Sequence, residues 1–186
     1  MQKPEIDIFC PTSQADWRLW LMENHNSKQS VWLVYYKKKS KMPSLTWSQA
    51  VDEALCFGWI DSTAKPIDDE KYMQFFSRRK PKSVWSKVNK DKVERFITNG
   101  LMTKAGFESI EKAKQNGSWT ILDDVEELKI PEDLEEAFNT KSGSKDYFLS
   151  LSKSVRKSIL QHLVVAKRPE TRQKRIIEIV ELINKK

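Results

Sequence analysis

The fold class is clearest in residues 46–62, which read TWSQAVDEALCFGWIDS. Thr46 and Gln49 have the spacing of a capping box, and apolar residues then recur at helical intervals up to Gly58. Glycine readily adopts the left-handed conformation that commonly ends a helix. Residues 59–62, which begin with an aromatic and a β-branched side chain, follow as a short strand. A helix that passes directly into a strand predicts that helices and strands pack together here.

Three further strands are predicted around this segment. Residues 31–36 form a continuous apolar run, typical of a strand that is buried on both faces. Residues 72–76 are predicted to pair antiparallel with 59–62 through a turn at 66–70, and a short first strand covers 6–8. We therefore predict an α+β fold, in which a small mixed or antiparallel sheet packs with helices and a helical C-terminal part follows.

Helix starts are marked by hydroxyl side chains. Ser13 with Asp16 indicates a helix before the second strand, Ser86 a helix that runs to Gly100, and Thr103 another that ends near Gly117. The first two of these helices adjoin predicted strands, as expected when one sheet and several helices share a core.

Beyond Trp119 the chain carries few large apolar residues and no strand alternation until Pro131 starts a short helix. We therefore predict two parts, an α+β core domain over 1–118 and a helical C-terminal region over 119–186. Pro169 suits the first position of the last helix. The residues predicted to face inward on the last two helices are Val155, Ile159, His162 and Ala166, and then Ile176, Ile177, Val180 and Ile183.

Charge is distributed unevenly along the chain, whose formal net charge is +7. Residues 72–95 carry eight basic and two acidic residues, net +6, and residues 141–186 carry twelve basic and four acidic, net +8. Between them, residues 123–136 carry eight acidic residues and one basic, net −7. Two basic regions that flank an acidic segment indicate either an anionic partner or ion pairs within the chain.

Several classes of protein are not favoured. No apolar run approaches the length of a membrane span, and the first residues lack the apolar core of a secretory signal. The two cysteines, Cys10 and Cys56, give no reason to expect a disulfide, so we expect a reduced, cytoplasmic protein. Two histidines and two cysteines far apart in sequence have no zinc spacing, and we predict no metal and no cofactor.

The strongest candidate site lies in residues 72–92, where aromatic and basic side chains are interleaved. Guanidinium groups suit phosphate or carboxylate, and the helix start at Ser86 offers free backbone N–H groups. The predicted ligand contacts are Arg78, Arg79, Ser83, Ser86 and Asn89, with Trp59 and Trp85 as planar walls and Asp61 as an orienting carboxylate. Alternatively, the aromatic residues belong to the core, the charges form a solvated loop, and Asn89 caps its own helix.

Nucleic-acid binding through both basic regions is a second hypothesis, with phosphates supplying most of the affinity. Its residues are Lys80, Lys82, Lys87, Lys90, Arg168, Arg172 and Arg175. The spacing of the three arginines places them on one helix face, beside a short junction like that of a helix-turn-helix. The alternative is a solvated basic face that contacts the acidic segment of the same protein.

An enzyme is the third and least favoured hypothesis. The segment from Cys56 to Asp61 resembles a nucleophile turn, but Cys56 is predicted at a helix C-terminus, where the dipole opposes thiolate formation. Asp61 instead follows a buried strand residue and suits the orientation of an arginine or a ligand hydroxyl. No general base or nucleophile can be assigned.

Several motifs occur in a fixed order along the chain. They are ALCFGWID at 54–61, RR at 78–79 with SVWSKVN at 83–89, NGLMT at 99–103 with Gly106, and AKRPETR at 166–172 with Arg175 and Ile176. This set resembles the bacterial YdeI/OmpD-associated family, also called bacteriocin-protection proteins. The resemblance implies a link to an outer-membrane porin and to antimicrobial-peptide resistance, and it implies no established reaction or catalytic residue.

Taken together, the sequence predicts a cytoplasmic binding protein of the YdeI/OmpD-associated type that holds an anionic or planar ligand. Its expected partner is an anionic small molecule, with nucleic acid as the alternative. Stress or antimicrobial-peptide resistance is the expected setting, and the sequence does not define the oligomeric state.

Overall fold

The computed structural model describes residues 6–182. Contacts divide these residues into two compact units. The N-terminal unit contains the described residues up to Ser83 together with Val88–Asn116, and the C-terminal unit contains Val84–Lys87 and the described residues from Gly117 onward.

The N-terminal unit is built from four strands and their helices, as the sequence predicts. In chain order they are β1 (Ile8–Phe9), α1 (Gln14–Asn24), β2 (Ser30–Tyr36), α2 (Trp47–Cys56), β3 (Trp59–Pro66), β4 (Lys71–Arg78), α3 (Lys87–Thr98) and α4 (Lys104–Gln115), with a short 3₁₀ turn at Lys38–Ser40. The capping box of Thr46 and Gln49 is present, and Thr103 caps α4 by accepting from the Gly106 amide.

The strands form one sheet in the order β1-β2-β4-β3. β1 is parallel to β2, whereas β2 with β4 and β3 with β4 are antiparallel, so the sheet is mixed and the predicted fold class is confirmed. Both strands of the β3–β4 hairpin are longer than predicted. The pairing shifts between Asp61 and Ala64, where a β-bulge lets β3 continue beyond its first four residues.

One face of the sheet, which we call the inner face, packs on α1 and α2. The Trp17 ring lies edge-on to Phe76 with centroids 5.5 Å apart, and Trp17 Nε1 donates a 3.0 Å hydrogen bond to the Ala50 carbonyl. Trp17 and Leu21 are fully buried. Because burying each such side chain contributes about 1.5–3 kcal/mol, this aromatic contact is a major part of the core.

The turn between α2 and β3 is shaped by close packing against the start of α4. Gly58 has φ +71°, the left-handed conformation predicted for it. A Cβ on Gly106 would lie 2.4 Å from the Cys56 carbonyl oxygen, which already accepts a 2.7 Å hydrogen bond from Thr103 Oγ1. The close approach of the α2–β3 turn to the backbone of α4 therefore explains the motif residues Gly58, Thr103 and Gly106, without a ligand.

The C-terminal unit is helical within the described residues. Its elements are α5 (Asp123–Glu126), α6 (Glu132–Phe138), α7 (Ser144–Ser150), α8 (Lys153–Val164) and α9 (Pro169–Val180), and Pro169 occupies the first turn of α9 as predicted. The sequence did not predict α5 or α7. The core cluster consists of Leu122, Val125, Leu134, Phe138, Phe148, Leu160, Leu163, Ile176, Ile179 and Val180.

Two predicted inward faces were partly wrong. On α8 the buried residues are Leu160 and Leu163, whereas Val155 and His162 are exposed, so the apolar stripe is displaced from the predicted one. On α9 Ile176 and Val180 are buried as predicted, but Ile177 is exposed and Ile179 takes the inward position. Ile176, Ile177 and Ile179 lie within four residues, so either of two adjacent helix faces could be the apolar one. Packing against the rest of the unit decides which face is buried. The prediction for Ile183 lies outside the described residues.

Ion pairs join the acidic segment to the basic helices within the C-terminal unit. Arg172 makes two hydrogen bonds to Asp133, 2.5 and 2.8 Å long, and Lys157 pairs with Glu126. Lys145 pairs with Glu135, so helices α6, α7, α8 and α9 all take part, together with α5. The contact between acidic and basic segments that the sequence offered as an alternative is therefore present.

Candidate functional site

A group of polar side chains meets on the inner face of the sheet, around Asp61 in β3. Asp61 Oδ2 accepts hydrogen bonds from Trp47 Nε1 at 2.9 Å and from Gln74 Nε2 at 3.1 Å. Gln74 Nε2 also donates a 2.8 Å bond to the Ser62 carbonyl, and the Gln74 side chain is buried. We call Trp47, Asp61 and Gln74, with Tyr35 and Arg79, whose pKa values the Asp61 charge influences, the Asp61 cluster.

Tyr35 brings a buried hydroxyl to this cluster. The residue is 1% exposed, its ring stacks on Tyr72 with centroids 4.9 Å apart, and its hydroxyl has no hydrogen-bond partner within residues 6–182. Burial raises the pKa of Tyr35 strongly, and the negative charge of Asp61 raises it further. Tyr35 therefore stays protonated and offers a donor that lacks an acceptor from the described protein.

Arg79 places a half-buried cation in electrostatic reach of Asp61. Burial lowers the pKa of Arg79 to about 10, and the Asp61 carboxylate acts in the opposite direction. The guanidinium thus remains charged at neutral pH, in surroundings that disfavour its charge. Such a cation favours an anionic neighbour.

Trp59 belongs to the core beneath the cluster. It is 0% exposed and its ring lies edge-on to Trp20, with centroids 5.8 Å apart. Its indole Nε1 is buried and has no acceptor within the described part of the chain. Because side chains alternate along a strand, Trp59 and Asp61 share the inner face of β3.

The remaining residues of the predicted site are divided between the two units. In the N-terminal unit, Arg78 Nε donates a 2.8 Å bond to the Lys28 carbonyl, Ser83 follows a turn closed onto Lys80, and Asn89 is half-buried on α3. Trp85 and Ser86 fall in the C-terminal unit. There Trp85 is 1% exposed, with its ring 5.0 Å from that of Trp119.

The basic residues predicted for nucleic acid have different surroundings. Lys80, Lys82, Lys87 and Arg168 are exposed, and Lys90 is half-buried. Arg172 is engaged by Asp133, and Arg175 Nη1 donates to the His162 carbonyl. Two of the three arginines on α9 and its junction are therefore used in contacts within their own unit.

Three members of the Asp61 cluster were missed by sequence reasoning: Tyr35, Trp47 and Gln74. A signal for Gln74 was available, since Tyr72, Gln74 and Phe76 alternate on one strand face and a glutamine between two aromatic residues must be satisfied when buried. Trp47 carried no such signal, because its contact with Asp61 depends on how α2 packs on β3.

Other polar groups in the N-terminal unit have structural explanations. Glu53 accepts 2.6 Å bonds from Gln14 and Arg18, which tie α1 to α2. Lys92 pairs with Asp52 at 2.5 Å and so links α3 to α2.

The Cys56 thiol is protonated at neutral pH, because burial raises its pKa to about 11. Among the described residues, no group of three histidine, cysteine or carboxylate side chains could hold a metal ion.

The protein is of the α+β class. A mixed sheet with its helices forms the N-terminal unit, and helices form the C-terminal unit. Residues 9–109 match the family described as a domain of unknown function (DUF8412), and because this is more than half of the chain, the protein belongs to that family. Residues 127–186 match the family described as bacteriocin-protection, YdeI or OmpD-associated, and form its domain here. The predicted resemblance is thereby confirmed.

The two matches divide the motifs of the sequence between them. The motif at 166–172 lies in the YdeI/OmpD-associated match, whereas those at 54–61, 78–89 and 99–103 lie in the match of unknown function. No curated protein and no solved structure matches the chain. Within residues 6–182 no helix has the length and apolar character of a membrane span.

Proposed function

We propose that the N-terminal unit is a binding module for a small ligand with an anionic group, held at the Asp61 cluster. The observation that carries this proposal is the buried Tyr35 hydroxyl, which has no acceptor among the described residues. An unsatisfied buried donor lowers stability by about 1–3 kcal/mol, so a protein retains one where something else accepts its hydrogen bond.

The hydrogen-bond donors of the cluster favour a ligand that accepts hydrogen bonds, such as an anion. Asp61 accepts hydrogen bonds from Trp47 and Gln74, and Arg79 adds a cation whose pKa is lowered by burial. A carboxylate or phosphate would accept a hydrogen bond from the Tyr35 hydroxyl, and the positive charge of Arg79 offsets the repulsion that the Asp61 carboxylate exerts on an anion. A planar ligand is also supported, because Trp47 is 51% exposed beside Asp61 and offers an aromatic side chain for stacking.

The proposal keeps Asp61, Arg79 and Trp59 from the sequence-based site and adds Tyr35, Trp47 and Gln74. Arg78, Ser83, Trp85, Ser86 and Asn89 remain predicted contacts. A role in stress or antimicrobial-peptide resistance is part of the same proposal, supported by the match of residues 127–186 to the bacteriocin-protection family. The cytoplasmic location stays a prediction from the sequence.

Melting temperatures in the presence of simple anions test the proposal. Phosphate, sulfate, acetate and benzoate serve as probes, and a bound anion raises the melting temperature by mass action. We expect a rise for the wild type and a smaller rise for Arg79→Ala, with Arg95→Ala, an exposed arginine of α3, as the matched control. A larger effect of benzoate than of acetate would support a planar ligand. Equal shifts in wild type and Arg79→Ala would refute the site.

Nucleic-acid binding through the basic segment at Lys80, Lys82, Lys87 and Lys90 remains the second candidate. Its support is the exposure of Lys80, Lys82 and Lys87 in a region of net charge +6. Duplex binding that weakens steeply between low and physiological salt would support it, as counterion release requires, and no binding at low salt would eliminate it. An enzymatic reaction has no assigned base or nucleophile and is the third candidate.

A further inference from the structure

The second face of the sheet, which we call the outer face, presents an aromatic pair at its centre. Trp32 in β2 and Phe75 in β4 are direct partners across the two central strands, and their rings meet edge to face with centroids 5.0 Å apart. Both side chains are half-buried, whereas the neighbouring inner-face residues Leu33 and Phe76 are fully buried. The aromatic pair is therefore reachable from solvent.

Apolar side chains extend this surface along the strands. Ile8, the parallel partner of Trp32 on β1, is 68% exposed. Met73 in β4 and Tyr36 in β2 lie on the same face further along their strands, and both are half-buried. Ile8 is exposed and the other named residues are partly exposed, so this face of the sheet is a candidate binding surface.

The charges on the outer face are positive. Lys65 Nζ lies 4.8 Å from the centre of the Trp32 ring, and Lys71 Nζ lies 5.9 Å from that of Tyr36. Asp68, in the β3–β4 turn, pairs with Lys71 at 3.4 Å. Among the described strand residues that alternate onto this face there is no aspartate or glutamate, so the charged side chains that its strands contribute are cations.

We propose that the outer face binds single-stranded nucleic acid. Unpaired bases present flat π surfaces that stack on Trp32 and Phe75, and a phosphate between them matches Lys65, whereas Lys71 is shared with Asp68. A lysine held over an aromatic ring can exchange that contact for a phosphate when a base takes its place. An apolar protein partner would not account for cations placed over the rings. This surface is distinct from the Asp61 cluster, which lies on the inner face.

Binding of fluorescein-labelled oligo(dT) and oligo(rU), about 12 nucleotides long to cover one site, tests the proposal by fluorescence anisotropy. We expect Phe75→Leu, which keeps apolar packing but removes the stacking ring, to raise the dissociation constant about 5- to 150-fold. Phe107→Leu is the matched control, since Phe107 is 43% exposed on α4, and it should leave binding unchanged.

The salt dependence of oligonucleotide binding separates the contribution of base stacking from that of charge. Lys65→Gln should reduce the slope of log affinity against log salt by about 0.7, whereas Lys112→Gln on α4 should not. Melting temperatures check that each variant is folded, and the surface variant Lys65→Gln keeps the test informative should Phe75→Leu prove unstable.

Three results would overturn the proposal. One is no binding of either oligonucleotide at low salt. Another is oligonucleotide binding that Lys80→Gln weakens but Phe75→Leu and Lys65→Gln leave unchanged. That result would place the binding surface at the basic segment. The third is concentration-dependent self-association that Phe75→Leu abolishes, without oligonucleotide binding, which would make the outer face an interface between two copies of the chain.

Discussion

The indole nitrogen of Trp47 donates a 2.9 Å hydrogen bond to the carboxylate of Asp61. Trp47 is the first residue of α2 and Asp61 lies near the start of β3, so the bond joins the two elements on either side of the Gly58 turn. Trp47 is 51% exposed although its indole nitrogen is engaged. The Asp61 cluster is therefore bordered by a side chain that solvent can reach.

Replacement of Asp61 tests how the cluster is held together. Asp61→Ala removes the acceptor of Trp47 and Gln74 and the negative charge near Arg79, so we expect the free energy of unfolding to fall by about 1–3 kcal/mol. Asp61→Asn keeps an acceptor oxygen and should lose less. Denaturant titration measures both, and equal losses would show that the charge, not the hydrogen bonds, matters.

Two glycines with the same backbone conformation provide a matched pair for the α2–β3 turn. Gly58 has φ +71° and Gly100 has φ +67°, so alanine is similarly strained at both. A Cβ at Gly58 would also lie 2.9 Å from the Ala105 carbonyl oxygen, whereas nothing lies within 4 Å at Gly100. We expect Gly58→Ala to lower the unfolding free energy by about 1–3 kcal/mol more than Gly100→Ala. Equal losses would contradict the close approach of α4.

The ion pair of Arg172 and Asp133 predicts a pH dependence in the C-terminal unit. Hydrogen bonds from Arg172 lower the pKa of Asp133 in the folded protein, so its stabilising contribution is present at neutral pH and is lost as pH falls through the folded pKa. Because both side chains are partly exposed, we expect Arg172→Gln to destabilise by only about 0.5–1 kcal/mol at pH 7.

Unfolding free energies measured below neutral pH distinguish a contribution of this ion pair from a contribution of packing. The difference between wild type and Arg172→Gln should shrink as Asp133 becomes protonated, while Arg168→Gln, a change at an exposed arginine, should show no such trend. A difference that stays constant across pH would mean that Arg172 acts through packing alone.

Trp85 and Asn89 are expected to respond differently to truncation. Trp85 is 1% exposed with its ring against Trp119, so Trp85→Ala should lower the unfolding free energy by about 3–5 kcal/mol. For Asn89→Ala we expect a loss near 1 kcal/mol or less, together with a weaker response to phosphate. Denaturant titration with and without phosphate checks both, and a phosphate response that Asn89→Ala leaves intact would remove Asn89 from the site.

Local signals in the sequence were sufficient for much of the fold. The capping box of Thr46 and Gln49, the left-handed Gly58 and the first-turn Pro169 each act within a few residues of the chain, and all three are as predicted. The short helix α7 was missed because Gly143, which precedes it with φ +78°, carries no side chain that could cap it. The orientation of α9 required its packing partners, since Ile177 and Ile179 are equally apolar.

The candidate site was less accessible to sequence reasoning, because it depends on contacts between distant parts of the chain. Asp61 meets Gln74 through the antiparallel register of β3 and β4, which a bulge shifts just beyond Asp61. Tyr35 reaches the cluster from β2, on the far side of β4. Asp61 and Arg79 could be named in advance as charged residues beside strands, but Tyr35 looked like one more aromatic residue in a buried run.

Tyr35→Phe provides the most direct test of the ligand site, through the melting temperature with and without phosphate or benzoate. Removing a buried hydroxyl that has no acceptor among residues 6–182 should leave the free protein as stable as the wild type or about 1 kcal/mol more stable. The same change should reduce the rise in melting temperature that the bound anion produces, whereas Tyr147→Phe in the C-terminal unit should not. A variant that is less stable without ligand, yet responds to the anions as the wild type does, would contradict a ligand site at the Asp61 cluster.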